Sequence, residues 1–217
     1  MIYTLITFDL FKTAGMQGLR YALAAMMNPR RSDAVAKTGE LFMKEYNDLK
    51  LEQIYHKMKI NKTGRKILME EPLISSKLFK EYPNNSFGDC YVKFIDSHGF
   101  DLDRPKVTTD VKHPYVLQRY REIHDFNHVL YNLRPTVHGE SILKWIEYQQ
   151  LQLTMPLFAG IVGIYYNLSL NDIHYGVQQG YTSEFMMNIY YENHLDENIN
   201  SLREKLKITP YHNDINK

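Results

Sequence analysis

The chain has 217 residues, enough for one domain with a sizeable core, and its 44% hydrophobic and 24% charged residues are ordinary for a soluble globular protein. Its 26 Lys and Arg residues nearly balance 25 Asp and Glu residues, and the net charge of +1 does not indicate the strongly basic surface typical of nucleic-acid binding, so nucleic acid is a poor candidate partner. Cys90 is the only cysteine, so an intrachain disulfide is excluded.

The first predicted element is an apolar helix over residues 2–27, whose large side chains are too dense and irregular for an alternating strand. Asp9, Lys12 and Arg20 interrupt the apolar run, so it does not resemble a signal peptide, and it lacks the composition of a transit peptide. Such a helix packs into the core, or alternatively meets a membrane surface or a second copy of the chain. Asn28-Pro29 predicts its end.

Three shorter helices are predicted next. Ser32 can cap one that runs to about Tyr46, a second covers 51–58, and a third covers 63–71 and ends before Pro72. The third lies among the basic residues Lys57, Lys59, Lys62, Arg65 and Lys66. These side chains predict a solvated edge or, alternatively, a contact with anionic lipid headgroups.

The next helix has clear signals at both ends. Ser86 and Asp89 have the spacing of a capping box, with Asp in place of the usual Glu, and Gly99 is a natural stop. Residues 100–114 contain two X-Pro dipeptides and are predicted to form a loop.

The sequence predicts an all-α fold in one domain over residues 1–217. It contains no repeat, linker or run typical of a sheet. Residues 157–166 are uncharged but cover only about half of the ~20 residues that a membrane span needs, so no transmembrane helix is expected.

Residues 115–133 have the strongest helical pattern in the chain. At 100° per residue, the side chains of one stripe fall within an arc of about 80°. The stripe contains Leu117, Tyr120, His124, His128 and Tyr131, and Arg121 and Asp125 lie beside it. The two histidines are therefore expected to point inward, one above the other.

Arg134-Pro135 is predicted to break this helix, and Thr136 is a plausible N-cap for the next one, which runs to about residue 153. Glu140 lies in the first turn of that second helix, and Glu147 lies two turns further along nearly the same face. The resulting helical hairpin would bring Glu140 back against the histidines.

Two histidines and one or two carboxylates form a known ligand set for zinc and for non-haem iron. A divalent cation at His124, His128 and Glu140, with Asp125 nearby, would also provide partners for buried polar groups, which are costly without them.

Other interpretations of the same residues stay open. The two histidines can instead be hydrogen-bonded to backbone or to Glu122, and His138 is a rival ligand near the turn. Glu140 can simply favour the positive end of its helix dipole.

The stretch HDFNH, eleven further residues and then Glu resembles the His-Asp-x-x-His-x11-Glu signature of the coenzyme Q biosynthesis protein four family. The signature falls on His124, Asp125, His128 and Glu140. Three other blocks resemble the family in the correct order: TGRKILMEEP (63–72), SFGDCYVKFIDSHGFDLDRPKV (86–107) and LREKLKI (202–208). The sequence departs from the family pattern at Asn127 and Arg134, and residues 157–170 follow it only loosely.

The resemblance implies an all-α protein of ubiquinone biosynthesis that binds zinc, or Fe²⁺, Mn²⁺ or Co²⁺, and associates peripherally with membranes. It also implies removal of the C1 carboxyl of a polyprenylated hydroxybenzoate, directly or oxidatively, or alternatively a non-catalytic role as lipid carrier or organiser of the biosynthetic enzymes. The expected partners are a prenylated quinone precursor or other isoprenoid lipid, other quinone-biosynthesis proteins, a membrane surface and a second copy of the chain. The expected location is the cytoplasmic membrane surface in a bacterium, or the matrix side of the mitochondrial inner membrane in a eukaryote.

By the same resemblance, His124, His128 and Glu140 ligate the metal, and Asp125 is a fourth ligand or orients a histidine. The substrate would lie along an apolar groove with Tyr120 and Tyr131. Arg119 or Arg121 would hold its anionic head, although pairing at the surface is an alternative role for either arginine.

Overall fold

The computed structural model describes residues 44–78, 80–100, 111–165 and 168–212. These segments contain α-helices and short 3-10 helices and no β-strand, which confirms the predicted all-α class. The α-helices are α1 (Lys44–Ile60), α2 (Lys62–Glu70), α3 (Phe87–His98), α4 (Pro114–Tyr131), α5 (Val137–Leu151), α6 (Thr154–Tyr165), α7 (Leu170–Thr182) and α8 (Ile199–Lys205). The 3-10 helices are Ser76–Leu78, Met186–Asn188 and Tyr191–Asn193.

Three predicted segments lie wholly or largely outside the described residues: the helix over 2–27, nearly all of the one that Ser32 would cap, and residues 101–110 of the predicted loop over 100–114. The predicted break between Tyr46 and residue 51 is wrong, because α1 continues through it. Asn47 and Asp48 stand at that point, and their side chains bond to Thr154 and to the backbone N–H of Lys112 instead of competing for the local helix backbone.

The local signals at other helix ends are confirmed. The Ser86 hydroxyl accepts from the backbone N–H of Asp89, and Gly99 ends α3 in the left-handed conformation with φ 64°. The reciprocal half of the box is shifted by one residue, because the Asp89 carboxylate accepts from the N–H of Asn85. Helix α2 starts one residue earlier than predicted, where the Asn61 side chain caps it.

The core lies where α4 packs against α3 and the 3-10 helix Tyr191–Asn193. Phe126 of α4 is fully buried, with its ring centroid 4.2 Å from that of Tyr91 and 5.2 Å from that of Tyr191. The Tyr191 hydroxyl donates to Asn127 Oδ1 at 2.9 Å, so its one polar atom is satisfied inside the core. This packing fixes α4 along its length and sets the direction in which its histidines point.

Helix α5 lies between α6 and α7. Gly176 of α7 allows a close approach, because a Cβ there would lie 2.7 Å from the Cβ of Trp145 and 3.1 Å from the carbonyl oxygen of Ile142. Two glycines one turn apart, Gly176 and Gly180, therefore let the backbone of α7 rest directly on α5. No helix of the described segments has both the length and the apolarity needed to cross a membrane.

Candidate metal centre

The candidate centre is built on the turn between α4 and α5. Asn132 ends α4 in the left-handed conformation with φ 56°, and Thr136 starts α5 by accepting from the N–H of Gly139 at 3.2 Å, as the sequence predicts. Gly139 has no room for a side chain, because a Cβ there would overlap the carbonyl oxygen of Arg134. The tight turn places Glu140, the next residue, against α4.

Three ligand-type side chains converge there: His124, His128 and Glu140, whose ligand atoms all lie within 4.8 Å of one another. The Nε2 atoms of the two histidines are 3.2 Å apart. Each carboxylate oxygen of Glu140 lies near one of them, at 3.2 Å from His124 and 3.1 Å from His128. The arrangement can hold a divalent cation through two imidazole nitrogens and one carboxylate.

Contacts on the side away from the centre hold the His128 ring in place. Its Nδ1 lies 3.0 Å from the carbonyl oxygen of Leu133, which can only accept, so the proton sits on Nδ1. Its ring stacks on Phe94 with a centroid separation of 5.6 Å, and the side chain is 1% exposed. Its Nε2 faces the centre, 3.1 Å from Glu140 Oε1.

His124 is backed by a buried charged group on α5. Its Nδ1 lies 2.6 Å from Glu147 Oε1 and 3.2 Å from Lys144 Nζ. Glu147 Oε2 in turn accepts from Lys144 Nζ and from the Tyr120 hydroxyl, both at 2.7 Å. The Glu147 side chain is 0% exposed, so it is a fully buried carboxylate with every partner drawn from the protein.

The charges around the centre shift the pKa of its members. Burial acts to raise the pKa of Glu147, but Lys144 and His124 outweigh it and lower that pKa to about 2. Burial and Lys144 act to lower the pKa of His124, and the two carboxylates outweigh them and raise it to about 9. The histidines hold the pKa of Glu140 well below its ordinary value, against the opposing effect of burial. Both carboxylates are therefore ionised, and a cation that binds His124 displaces a proton.

The structure does not bring every predicted or rival ligand into this group. Asp125 is buried but lies outside the three ligand-type side chains that converge. His138 lies 3.0 Å from Asp172 and is held on that side of α5. Glu122, considered as a partner for the histidines, accepts instead from Gln118 at 2.7 Å.

The side chains predicted to bind substrate have other partners. Arg119 is 0% exposed, and its guanidinium makes two hydrogen bonds to Glu192, at 2.5 and 2.9 Å. The Tyr131 hydroxyl lies 2.8 Å from the Ser183 hydroxyl, and Tyr120 bonds to Glu147. Arg121 is half-buried. The predicted substrate contacts of these four residues stay predictions.

Lys144 and Glu147 were not among the predicted site residues. The available signal is a Lys and a Glu three residues apart in SILKWIEYQQL, an otherwise apolar run on a helix that the sequence places next to the histidines. A charged pair inside an apolar helix face has to find partners within the protein, since an unpaired buried charge is costly.

Comparisons with known proteins agree on one family. A family model described as "Coenzyme Q (ubiquinone) biosynthesis protein Coq4" matches residues 11–212. The chain is 36% identical over 206 residues to the mitochondrial ubiquinone biosynthesis protein COQ4 homolog of Nematostella vectensis, covering 86% of this chain and 96% of that protein. It is 31% identical over 208 residues to mitochondrial coq-4 of Caenorhabditis elegans, covering 89% of each.

A solved structure shares the fold. A provisionally assigned ubiquinone biosynthesis protein from Nostoc punctiforme aligns with a TM-score of 0.64 at 17% identity, covering 88% of this chain and 96% of that one. At this level of identity the likeness shows the all-α architecture alone.

Proposed function

This chain belongs to the Coq4 family of coenzyme Q (ubiquinone) biosynthesis proteins, and from that premise we propose that it removes the C1 carboxyl group of a polyprenylated hydroxybenzoate at a divalent-metal centre. The observation that carries the proposal is the convergence of His124, His128 and Glu140 on one point between α4 and α5. Zinc is the proposed ion, and Fe²⁺, Mn²⁺ and Co²⁺ suit the same donor set.

The donor atoms fit a metal of this class. Two nitrogens bound to a tetrahedral zinc at about 2.0–2.1 Å lie roughly 3.3 Å apart, and the two Nε2 atoms here are 3.2 Å apart. Glu140 adds an ionised oxygen close to both histidines. Three protein ligands are typical of zinc sites that keep a fourth position for water or substrate, whereas structural sites usually have four.

In the proposed reaction the bond between C1 and the carboxyl carbon breaks, carbon dioxide leaves, and C1 keeps the electron pair and takes a proton. In the oxidative version dioxygen is the two-electron oxidant and leaves as hydrogen peroxide, while C1 gains a hydroxyl oxygen from water. When bound, the divalent cation supplies Lewis-acid stabilisation of the negative charge that develops on the substrate. The three ligand side chains orient the reacting head, and α3 and α4 exclude water from the His128 side.

The second part of the proposal concerns the prenyl tail of the substrate and the membrane surface. Ile161 and Ile164, three residues apart on α6, are 47% and 49% exposed, and Leu170 at the start of α7 is 83% exposed. Exposed large aliphatic side chains on neighbouring elements are suited to lipid contact. We propose that this end of the molecule meets the membrane surface, that an apolar groove holds the tail, and that other quinone-biosynthesis proteins deliver and receive the substrate.

The alternative function is a non-catalytic carrier or scaffold in which the metal only braces the hairpin. The same geometry supports it, because the three ligands join α4 to α5 across their turn. The two functions differ in the effect of losing one ligand: a brace stabilises the fold, while a catalytic ion is needed for turnover.

The test combines metal analysis, stability and turnover. The natively purified protein should contain about one zinc, iron, manganese or cobalt ion per chain, and His128→Ala should lose it. Under the catalytic proposal His128→Ala stays folded and releases no carbon dioxide from a prenylated 4-hydroxybenzoate in detergent. His138→Ala is the matched control, since His138 lies outside the group, and it should keep both metal and turnover. A metal-free wild-type protein would refute the centre, and a metal-loaded protein without turnover whose His128→Ala variant unfolds would favour the brace.

A further inference from the structure

We infer that Glu147 is a positioning residue that keeps the proton of His124 on Nδ1 and thereby leaves Nε2 free for the metal. Lys144 and Tyr120 hold the Glu147 carboxylate in place. The inference rests on the proposed metal centre and adds to it the residue that determines which ring nitrogen of His124 is available to the metal.

The geometry of Glu147 points to this role. Each carboxylate oxygen has its own partners. Oε1 lies 2.6 Å from His124 Nδ1, and Oε2 accepts hydrogen bonds from Tyr120 and Lys144 at 2.7 Å each. A carboxylate that is 0% exposed is stable only if hydrogen-bond donors surround it. A carboxylate can only accept, so Nδ1 of His124, which faces Glu147, carries a proton, and a metal that binds Nε2 takes the place of the proton that Nε2 shares with Glu140.

Lys144 explains why His124 needs a carboxylate for this purpose. Its Nζ lies 3.2 Å from the same Nδ1 atom, and an ammonium group can only donate. If Lys144 donated to Nδ1, the proton of the neutral ring would move to Nε2, and Nε2 could no longer bind a metal. Glu147 and Lys144 therefore favour opposite tautomers, and Glu147 prevails because it is closer to Nδ1 and also engages the ammonium through its second oxygen.

The contrast with His128 supports the argument. There the partner of Nδ1 is the backbone carbonyl of Leu133, at 3.0 Å, which accepts in every state. The tautomer of His128 is thus set by main-chain geometry, and no described residue places a competing donor at its Nδ1. Among the described residues no backbone carbonyl contacts Nδ1 of His124, and the orientation of that ring depends on a side chain from α5.

The substitution Glu147→Gln separates these effects. A carboxamide has one acceptor oxygen, so it cannot serve His124 and Lys144 together. We expect Lys144 to take that oxygen and the amide NH₂ to face Nδ1, which would move the proton to Nε2. Loss of a carboxylate behind a metal-bound histidine typically weakens metal binding about 10–100-fold. Removing the competitor as well, in Glu147→Gln/Lys144→Met, frees the Gln oxygen for His124 and should restore part of the affinity.

The experiment is a titration of the metal-free full chain with Co²⁺, followed by its visible absorption and by calorimetry. The expected order of affinity is wild type, then the double variant, then Glu147→Gln, with about a 10–100-fold loss in the last. Glu192→Gln is the matched control, because it changes a mostly buried carboxylate that pairs with Arg119, and it should bind Co²⁺ like the wild type. A double variant weaker than Glu147→Gln would show a purely structural role and overturn the inference.

Two further outcomes distinguish failure of the proposed metal centre from failure of the inference alone. A wild-type protein that does not bind Co²⁺ or Zn²⁺ overturns the proposed metal centre and the inference with it. A wild type that binds while Glu147→Gln binds equally well overturns the inference alone. If Glu147→Gln does not fold, Tyr120→Phe replaces it, since that change keeps the carboxylate and removes the Tyr120 hydroxyl, which donates to Glu147 and accepts from Lys144. It should weaken Co²⁺ binding several-fold with the fold intact, and unchanged binding would again overturn the inference.

Discussion

Replacing Arg119 by Met should destabilise the protein strongly without acting on the metal centre. The Arg119 guanidinium is 0% exposed and makes two hydrogen bonds to Glu192, whose side chain is 14% exposed. Removing one member of a buried pair typically costs about 3–5 kcal/mol, because the other charge is left unpaired. Glu192 keeps some contact with solvent, and none of the described residues forms a hydrogen bond with the buried Arg119 Nε, so we expect a value near the lower end, about 3 kcal/mol.

Urea denaturation followed by circular dichroism measures this loss, and Co²⁺ titration of the folded variant should give an unchanged affinity. Arg119→Met/Glu192→Leu should recover most of the stability, since an apolar pair leaves no buried charge. Lys93→Met is the control for an exposed pair, because Lys93 is 68% exposed beside Asp89, and its effect on stability should be far smaller than that of Arg119→Met. A loss below about 1 kcal/mol for Arg119→Met, together with weaker substrate binding, would refute the structural role and favour the predicted contact with the substrate head.

Two further predictions concern the hairpin and the acid stability of the fold. Gly139→Ala should cost about 1–3 kcal/mol and weaken Co²⁺ binding, because the new Cβ overlaps the Arg134 carbonyl and the turn must move Glu140; an unchanged affinity would contradict this. Lys112 and His113 bond to Glu52 and together lower its pKa to about 2, from 4.5, so these contacts stabilise the fold above about pH 4.5 and are lost as the pH falls toward 2. The difference in urea midpoint between wild type and Glu52→Gln should therefore shrink below pH 4.5. A difference independent of pH would contradict a stabilising role for the ion pairs of Glu52.

The sequence by itself determined the local features of this protein. Ser86, Gly99 and Thr136 begin or end helices as predicted, because a cap depends on hydrogen bonds within four residues and on the conformation of one backbone position. The spacing of His124 and His128 likewise fixed their shared helix face, since the rise and turn of an α-helix are constant.

Only the tertiary structure decided which long-range partner each buried group would find. Periodicity placed Arg119 and Asp125 on α4 but could not show that Arg119 faces Glu192, 73 residues away, or that Asp125 lies outside the three convergent ligands. Periodicity also placed Glu147 on nearly the same face as Glu140 but could not show that it is fully buried behind His124. The physical reason is that helix geometry is set by near neighbours, whereas burial and charge pairing depend on which faces of distant helices meet.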